Sequence, residues 1–438
     1  MTSRPTSGRR STRPDMAAED VHRAIDAVWR IESAGVIASL ARMVRDVDLA
    51  EDLAQDALLA ALEAWPRTGI PDRPGAWLLA TARRRGIDRI RHRRMSERRL
   101  AELGLETDER RDTVVHAIEA ALDDPVGDEL LGLMFATCHP VLPTEARSAL
   151  TLRLLGGLAT AEIARAFLTP EPTIAQRIVR AKRTLREARV PLEPPRGPAL
   201  SERLGSVLEV LYLIFNEGYA ATAGSEWFRA DLCTEALRLG RILAELAPTE
   251  AEVHGLAALM EVQASRIRAR TDPAGRPILL ADQDRTRWDQ VLIQRGLAAL
   301  ARAEATGAPF GPYALQAAIA ACHARARTFD ATDWTRIVAL YDALLMVHPT
   351  PVVALNRAVA LGMMHGPAAG LEALAEIPES SGMSRYHLLA AVRGDLLFKL
   401  GRRTEASAEF ARAAALATNE RERALLLERA AASRLPGG

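Results

Sequence analysis

The 438-residue chain has few cysteines, few aromatics and almost no lysine. Its three cysteines, Cys138, Cys233 and Cys322, are far apart and odd in number, and no Cys-x-x-Cys pair occurs. That argues against a disulfide framework or a cysteine zinc site and fits a reducing compartment. Aromatics make up 4% of residues. Runs of alternating β-branched residues are missing, so no strand is expected. No stretch of eighteen apolar residues appears, which leaves no candidate membrane span. The Ser/Thr/Arg/Pro-rich start, Met1–Asp20, lacks the apolar centre of a signal peptide. There is no GxxxxGK[ST] loop, GxSxG elbow or strand-linked GxGxxG. The histidines His254, His323, His348, His365 and His387 follow no HExxH spacing. The motifs of nucleotide, ester and metal chemistry are therefore absent. Neither an enzyme nor a metal or cofactor protein is expected, and the expected compartment is the cytoplasm.

What is abundant is Ala, Leu and Arg, all strong helix formers. Apolar residues recur at spacings of three and four, so the chain is expected to be all-α. Its length calls for several domains. Composition places the boundaries: a polar basic tail over 1–20, a helical unit over 21–95, a charged linker over 96–125 and a second helical unit over 126–190. The stretch Pro191–Pro198 holds four prolines in eight residues. It makes a stiff boundary over 191–199, because proline fixes its own backbone and donates no amide proton. A helical region then fills 200–438. Within it Leu355–Ala358 and Leu389–Val392 are 34 residues apart, each followed by a glycine (Gly366, Gly401) and small residues. That period suits paired helices of the tetratricopeptide (TPR) kind, stacked like an α-solenoid. Pro349 fits the proline closing such a unit, and Glu235–Arg266 has a similar shape around Pro248.

Charge is nearly balanced overall, at +1, but not locally. Arg83–Arg99 carries nine arginines against Asp88 and Glu97, a stretch suited to phosphate. Further on, Leu158–Ala188 reads as helix, turn, longer helix. Thr169-Pro170 would supply the N-cap and first turn of the second helix. At about 100° per residue, Ile174, Ile178, Ala181 and Leu185 share one arc of that helix. Thr173, Gln176, Arg177, Arg180 and Thr184 share another. One face packs; the other offers the amide, hydroxyl and guanidinium groups that read base edges and grip phosphates. The plain alternative is a solvated helix face.

Residues Leu152-Arg153, Gly157–Ala164, Thr173-Ile174, Arg177, Arg180-Ala181 and Leu185-Arg186 resemble the promoter-binding domain of RNA polymerase sigma factors. The segment Asp48–Trp65 is similar to the sigma helix that docks on core RNA polymerase. Its inward stripe would be Leu49, Leu53, Ala57 and Ala60, and its exposed acidic face Glu51, Asp52, Gln55 and Asp56. Asp48 with Glu51 also suits a helix start, where acids cap and complement the dipole. Arg73–Arg94 is similar to the sigma segment that melts and binds the −10 element. Trp77-Leu78, Ala82-Arg83, Ile87-Asp88 and Arg91 match, while Arg84 stands where the family has Asn. Trp77 is read as core rather than as a stacking platform. The combination resembles the extracytoplasmic-function (ECF) group, in the form fused to a TPR-like extension, with Leu208–Tyr219 and Pro312–His323 as further marks.

The resemblance implies three sets of contacts. Asp52, Gln55 and Asp56 would meet core RNA polymerase. Arg83, Arg84, Arg85, Arg89, Arg91, Arg93 and Arg94 would hold the −10 strand. Thr173, Gln176, Arg177, Arg180 and Arg183 would read the −35 element of promoter DNA. The extension would act in cis or take a separate protein partner. The competing readings are a one-component helix-turn-helix regulator with a TPR sensor and a TPR scaffold with an incidental basic stretch. Neither of these needs an acidic helix followed by the Trp77–Arg94 segment.

Overall fold

The computed structural model describes residues 18–86, 126–219, 229–273, 275–378 and 383–434. Over these the protein is all-α, with no strand and one isolated bridge between Thr271 and Pro277. The linker at 96–125 and Arg89, Arg91, Arg93 and Arg94 lie outside the described residues, as do residues 1–17 of the tail. Among the described residues no helix is long and apolar enough to cross a membrane. The three cysteines are buried and form no disulfide.

The chain divides into two compact units. The first comprises residues 1–137, 153–158 and 182–194. Helix α1 (Ala18–Val44) begins three residues inside the expected tail and packs on α2 (Val47–Thr68). A helix through residues 74–86, α3, follows. Helix α4 (Val126–Thr137) packs on α1. Its Glu129 is buried and takes the Ser39 hydroxyl and, at 3.0 Å, Arg42 Nε. A buried carboxylate needs such donors, because without them it would lose its hydration uncompensated. Trp65, Leu40, Leu53, Leu78 and Leu133 fill this core. Trp77 is half-buried with its ring edge-on to Trp65, centroids 5.3 Å apart, which makes it part of the packing as expected.

The second unit comprises residues 138–152, 159–181 and 195–438. Helices α5 (Thr144–Leu154), α6 (Thr160–Ala166) and α7 (Glu171–Glu187) precede α8 (Pro198–Tyr219), with the ends of α5 and α7, from Arg153 and from Lys182, belonging to the first unit. Then come α9 (Ala230–Leu246), α10 (Ala251–Ala264), α11 (Gln290–Ala305), α12 (Pro312–Arg325), α13 (Trp334–Val347) and α14 (Pro351–His365). Helices α15 (Pro367–Ala375), α16 (His387–Lys399), α17 (Arg403–Leu416) and α18 (Glu420–Arg434) complete it. From α8 onward most helices pack on their sequence neighbours, while α12 packs chiefly on α10. The apolar clusters follow the same order: one over α10–α12, the next over α12–α14, then α14–α16 and α16–α18. The local turn chemistry is regular. Gly366 and Gly401, picked out by their matching intervals, both take positive φ, at 97° and 76°, just past α14 and α16. Thr350 caps α14 and Pro351 opens it, so Pro349 sits in the turn between α13 and α14.

At the crossing of α10 and α12, a methyl group on Gly255 would lie 2.6 Å from the Ala314 backbone nitrogen. The contact is with backbone, so a side chain cannot swing away. Gly255→Ala gains about 1 kcal/mol of helix propensity but forces the helices apart at a cost of about 1–3 kcal/mol. Urea unfolding is therefore expected to show a net loss of stability; a gain would mean that the crossing is looser than described.

Candidate nucleic-acid interface and acidic helix face

Helix α2 starts at Asp46, whose carboxylate accepts the amide protons of Asp48 and Leu49 at 2.9 and 3.2 Å. The cap is thus Asp46, and the capping role expected of Asp48 and Glu51 does not apply. Asp48 is exposed, while Glu51, expected on the exposed face, is 5% exposed. Two cations from distant parts of the chain explain this burial. Arg153 Nε lies 2.6 Å from Glu51 Oε1, and Lys182 Nζ lies 2.5 Å from Oε2 and 2.8 Å from Asp48. Arg186 approaches Asp46 at 3.8 Å. Burial works against the Lys182 charge, but Glu51 and Asp48 outweigh it and hold its pKa above the ordinary lysine value.

Asp52 is exposed; Gln55 and Asp56 are half-buried. Gln55 donates to Glu51 at 2.9 Å, which ties it into the same cluster. Of the expected inward stripe, Leu53 and Ala57 are buried, and Leu49 and Ala60 only half-buried. Ala50, Ala54, Ala61 and Trp65 complete the buried face. No spacing along the chain marks Arg153 and Lys182 as partners of this helix. Lys182 is one of only two lysines, but nothing along the chain pairs it with Glu51.

On α3, Arg84 is exposed, and Arg83 and Arg85 are half-buried. Arg85 donates to the Asp56 backbone carbonyl at 2.7 Å, which braces α3 against α2. Arg84 is the most solvent-accessible of the three.

Helices α6 and α7 are joined by residues 167–170. The Glu162 carboxylate accepts the Ala159 amide at 2.8 Å and closes the start of α6. Leu168 holds φ at 47°, a left-handed conformation that costs a non-glycine residue about 1–2 kcal/mol. The expected cap at Thr169-Pro170 forms differently. Thr169 donates its hydroxyl back to the Phe167 carbonyl at 3.1 Å, and the Pro170 carbonyl accepts the amides of Thr173 and Ile174. The helix therefore opens at Glu171, with Pro172 inside its first turn. Ile174, Ile178, Ala181 and Leu185 are all buried, at 5% exposure or less. Thr173, Gln176, Arg180 and Arg183 are exposed; Arg177 and Thr184 are half-exposed. Arg183 pairs with Glu187 at 2.6 Å. Arg177 and Arg180 stand one turn apart on α7. Among the described residues no cluster of His, Cys, Asp or Glu is arranged to hold a metal ion.

Comparison with known proteins accords with this arrangement. Residues 33–95 match Sigma-70 region 2, residues 133–185 match Sigma-70 region 4, and residues 203–304 match a family of unknown function, DUF6596. An uncharacterized protein of Rhizobium meliloti is 45% identical over 391 residues, 89% of this chain and 90% of its own. The ECF RNA polymerase sigma factor SigC of Mycobacterium tuberculosis is 32% identical over 169 residues, 39% of this chain and 85% of its own. The ECF RNA polymerase sigma factor SigK of Mycobacterium ulcerans is 30% identical over 152 residues, 34% of this chain and 75% of its own. No solved structure matches significantly. The N-terminal part carries both sigma regions in order, and SigC and SigK match it, so the chain belongs to the sigma-70 family of transcription initiation factors.

Proposed function

We propose that the chain binds core RNA polymerase and directs it to promoters of a defined sequence. Residues 21–95 would dock on polymerase through Asp52, Gln55 and Asp56 and capture the −10 strand through the arginines from Arg83 to Arg94. Residues 126–190 would read the −35 element as a helix-turn-helix. The observation that carries this reading is the two-faced surface of α7. Its Ile174, Ile178, Ala181 and Leu185 are packed, while Thr173, Gln176 and Arg180 are exposed and Arg177 is half-exposed. Side chains of these types hydrogen-bond to base edges in the major groove. An acidic face on α2 complements a basic partner and speeds its docking. A one-component regulator would use the helix-turn-helix but has no need of a region 2.

Arg177→Ala or Arg180→Ala is expected to weaken promoter binding by polymerase holoenzyme by about 1–3 kcal/mol if the side chain grips a base bidentately. A phosphate contact would instead weaken all sequences alike and flatten the salt dependence by about one unit of slope. Promoter retention measured at several salt concentrations separates the two. If both variants bind like the parent protein, α7 is not the reading helix.

The extension over 200–438 would regulate in cis, or in company with a protein partner. Residues 191–199 are a short proline-rich tether, and a short tether holds the local concentration of the extension on the order of millimolar. Truncation after Arg189 should therefore change promoter-dependent transcription several-fold in one direction. Equal transcription by the truncated and full-length proteins would make the extension an independent binding module.

A further inference from the structure

The second unit holds a cluster of arginines that the promoter-binding role does not use. It lies where the end of α8, the end of α10, the short helical turns Ile267–Ala269 and Arg285–Arg287, and the end of α12 come together. Arg270 stacks over the Tyr219 ring at 3.8 Å and donates to the Tyr219 carbonyl. Arg266 lies between the rings of Tyr219 and Trp288, at 5.9 and 5.8 Å, and donates to the Tyr219 hydroxyl at 2.9 Å and to Gln263. Arg285 sits over Trp288 at 4.9 Å and donates to the carbonyls of His323 and Ala326 and to Thr332. All three are half-buried.

Every partner of Arg266 and Arg285 is neutral, and Arg266 Nε is buried with no acceptor. Two acids close to Arg285 in sequence are turned elsewhere. Asp284 accepts from Thr286, and Asp289 caps α11. The cations press on one another. Burial, then Arg266, lowers the pKa of Arg285; for Arg270 burial again comes first, and Arg266 adds to it. His323, with Nδ1 buried and unbonded, is pushed down to about 4 by burial and by Arg266 and Arg285. The Arg266 and Arg285 guanidinium groups, brought together under partial desolvation, on an aromatic wall and with neutral partners, are arranged to receive negative charge. Aromatic faces favour each cation singly but do nothing to relieve the repulsion between them.

We propose that Arg266, Arg270 and Arg285 form an anion-binding site that takes the phosphate or carboxylate group of a small molecule, with Tyr219 and Trp288 as its walls. The site belongs to the extension alone and does not rest on the sigma-factor reading.

The test is calorimetric titration of the full-length protein with inorganic phosphate, pyrophosphate and succinate at matched ionic strength. The inference expects saturable one-to-one binding of at least one probe, and which probe binds separates a phosphate ligand from a carboxylate ligand. Arg266→Gln should weaken that binding about tenfold or more. Arg276→Gln, which removes an exposed arginine paired with Asp272, should leave it unchanged. If Arg266→Gln fails to fold, Arg266→Lys keeps the charge but loses the planar donor fork and should still bind more weakly. The protonation midpoint of His323, followed by NMR, should rise when the anion is bound. Absence of saturable binding by all three probes up to about 10 mM, or equal binding by the Arg266 variants, overturns the proposal.

Discussion

Reversing Asp52 and Asp56 to arginine is expected to abolish co-purification with core RNA polymerase while leaving helical content unchanged. Asp52 is exposed and Asp56 half-buried on a helix whose opposite face is packed, so the substitutions act at the surface. The bond from Arg85 goes to the Asp56 backbone carbonyl, not to the side chain that is replaced. Placing like charges across a docking interface costs several kcal/mol. A loss of about 3 kcal/mol over the two positions would already weaken binding by more than about 100-fold. Circular dichroism checks the fold, and anisotropy of labelled protein titrated with core reads the affinity. Unchanged affinity would remove α2 from the polymerase interface.

Glu51→Ala carries the largest expected loss of stability. The carboxylate is buried and meets Arg153 at 2.6 Å and Lys182 at 2.5 Å. Removing one partner of a fully buried pair costs about 3–5 kcal/mol, chiefly because the remaining charge is stranded. Here the Lys182 and Arg153 side chains keep 12% and 24% of their exposure and can turn toward water. The expected loss is therefore near the lower end, about 3 kcal/mol. Urea midpoints for Glu51→Ala and Lys182→Ala, with the double variant closing the cycle, measure the coupling directly. Additive effects of the two substitutions would show that the pair is not formed in solution.

How much of this was legible in the sequence depended on how far apart the interacting residues stand. The buried stripe of α7 could be read because Ile174, Ile178, Ala181 and Leu185 repeat with the helix period, and the two glycines closing α14 and α16 because each acts within its own turn. Glu51 could not. On its own helix wheel it joins Asp52 and Asp56, and only Arg153, 102 residues away, and Lys182 draw it inside. The start of α7 differs from the expected one because two prolines, Pro170 and Pro172, both suit a first turn, and the Thr169 hydroxyl turns back to Phe167 instead of capping. Arg85 looked equivalent to Arg83 and Arg84 in a run of like residues until α3 was laid against α2. The arginine cluster around Tyr219 and Trp288 left no trace, since its members come from separate helices and turns and share no spacing.

The central claim is that this chain makes core polymerase recognise promoters. Run-off transcription with purified core polymerase measures this most directly, using templates selected from genomic fragments retained by the holoenzyme. The account predicts transcripts of defined length that require both the chain and core, and that disappear with the Asp52→Arg/Asp56→Arg variant and when the −35 or −10 sequence is scrambled. Retention of the same fragments by the chain without core, with no transcript at any template when core is added, would contradict it and favour the one-component regulator.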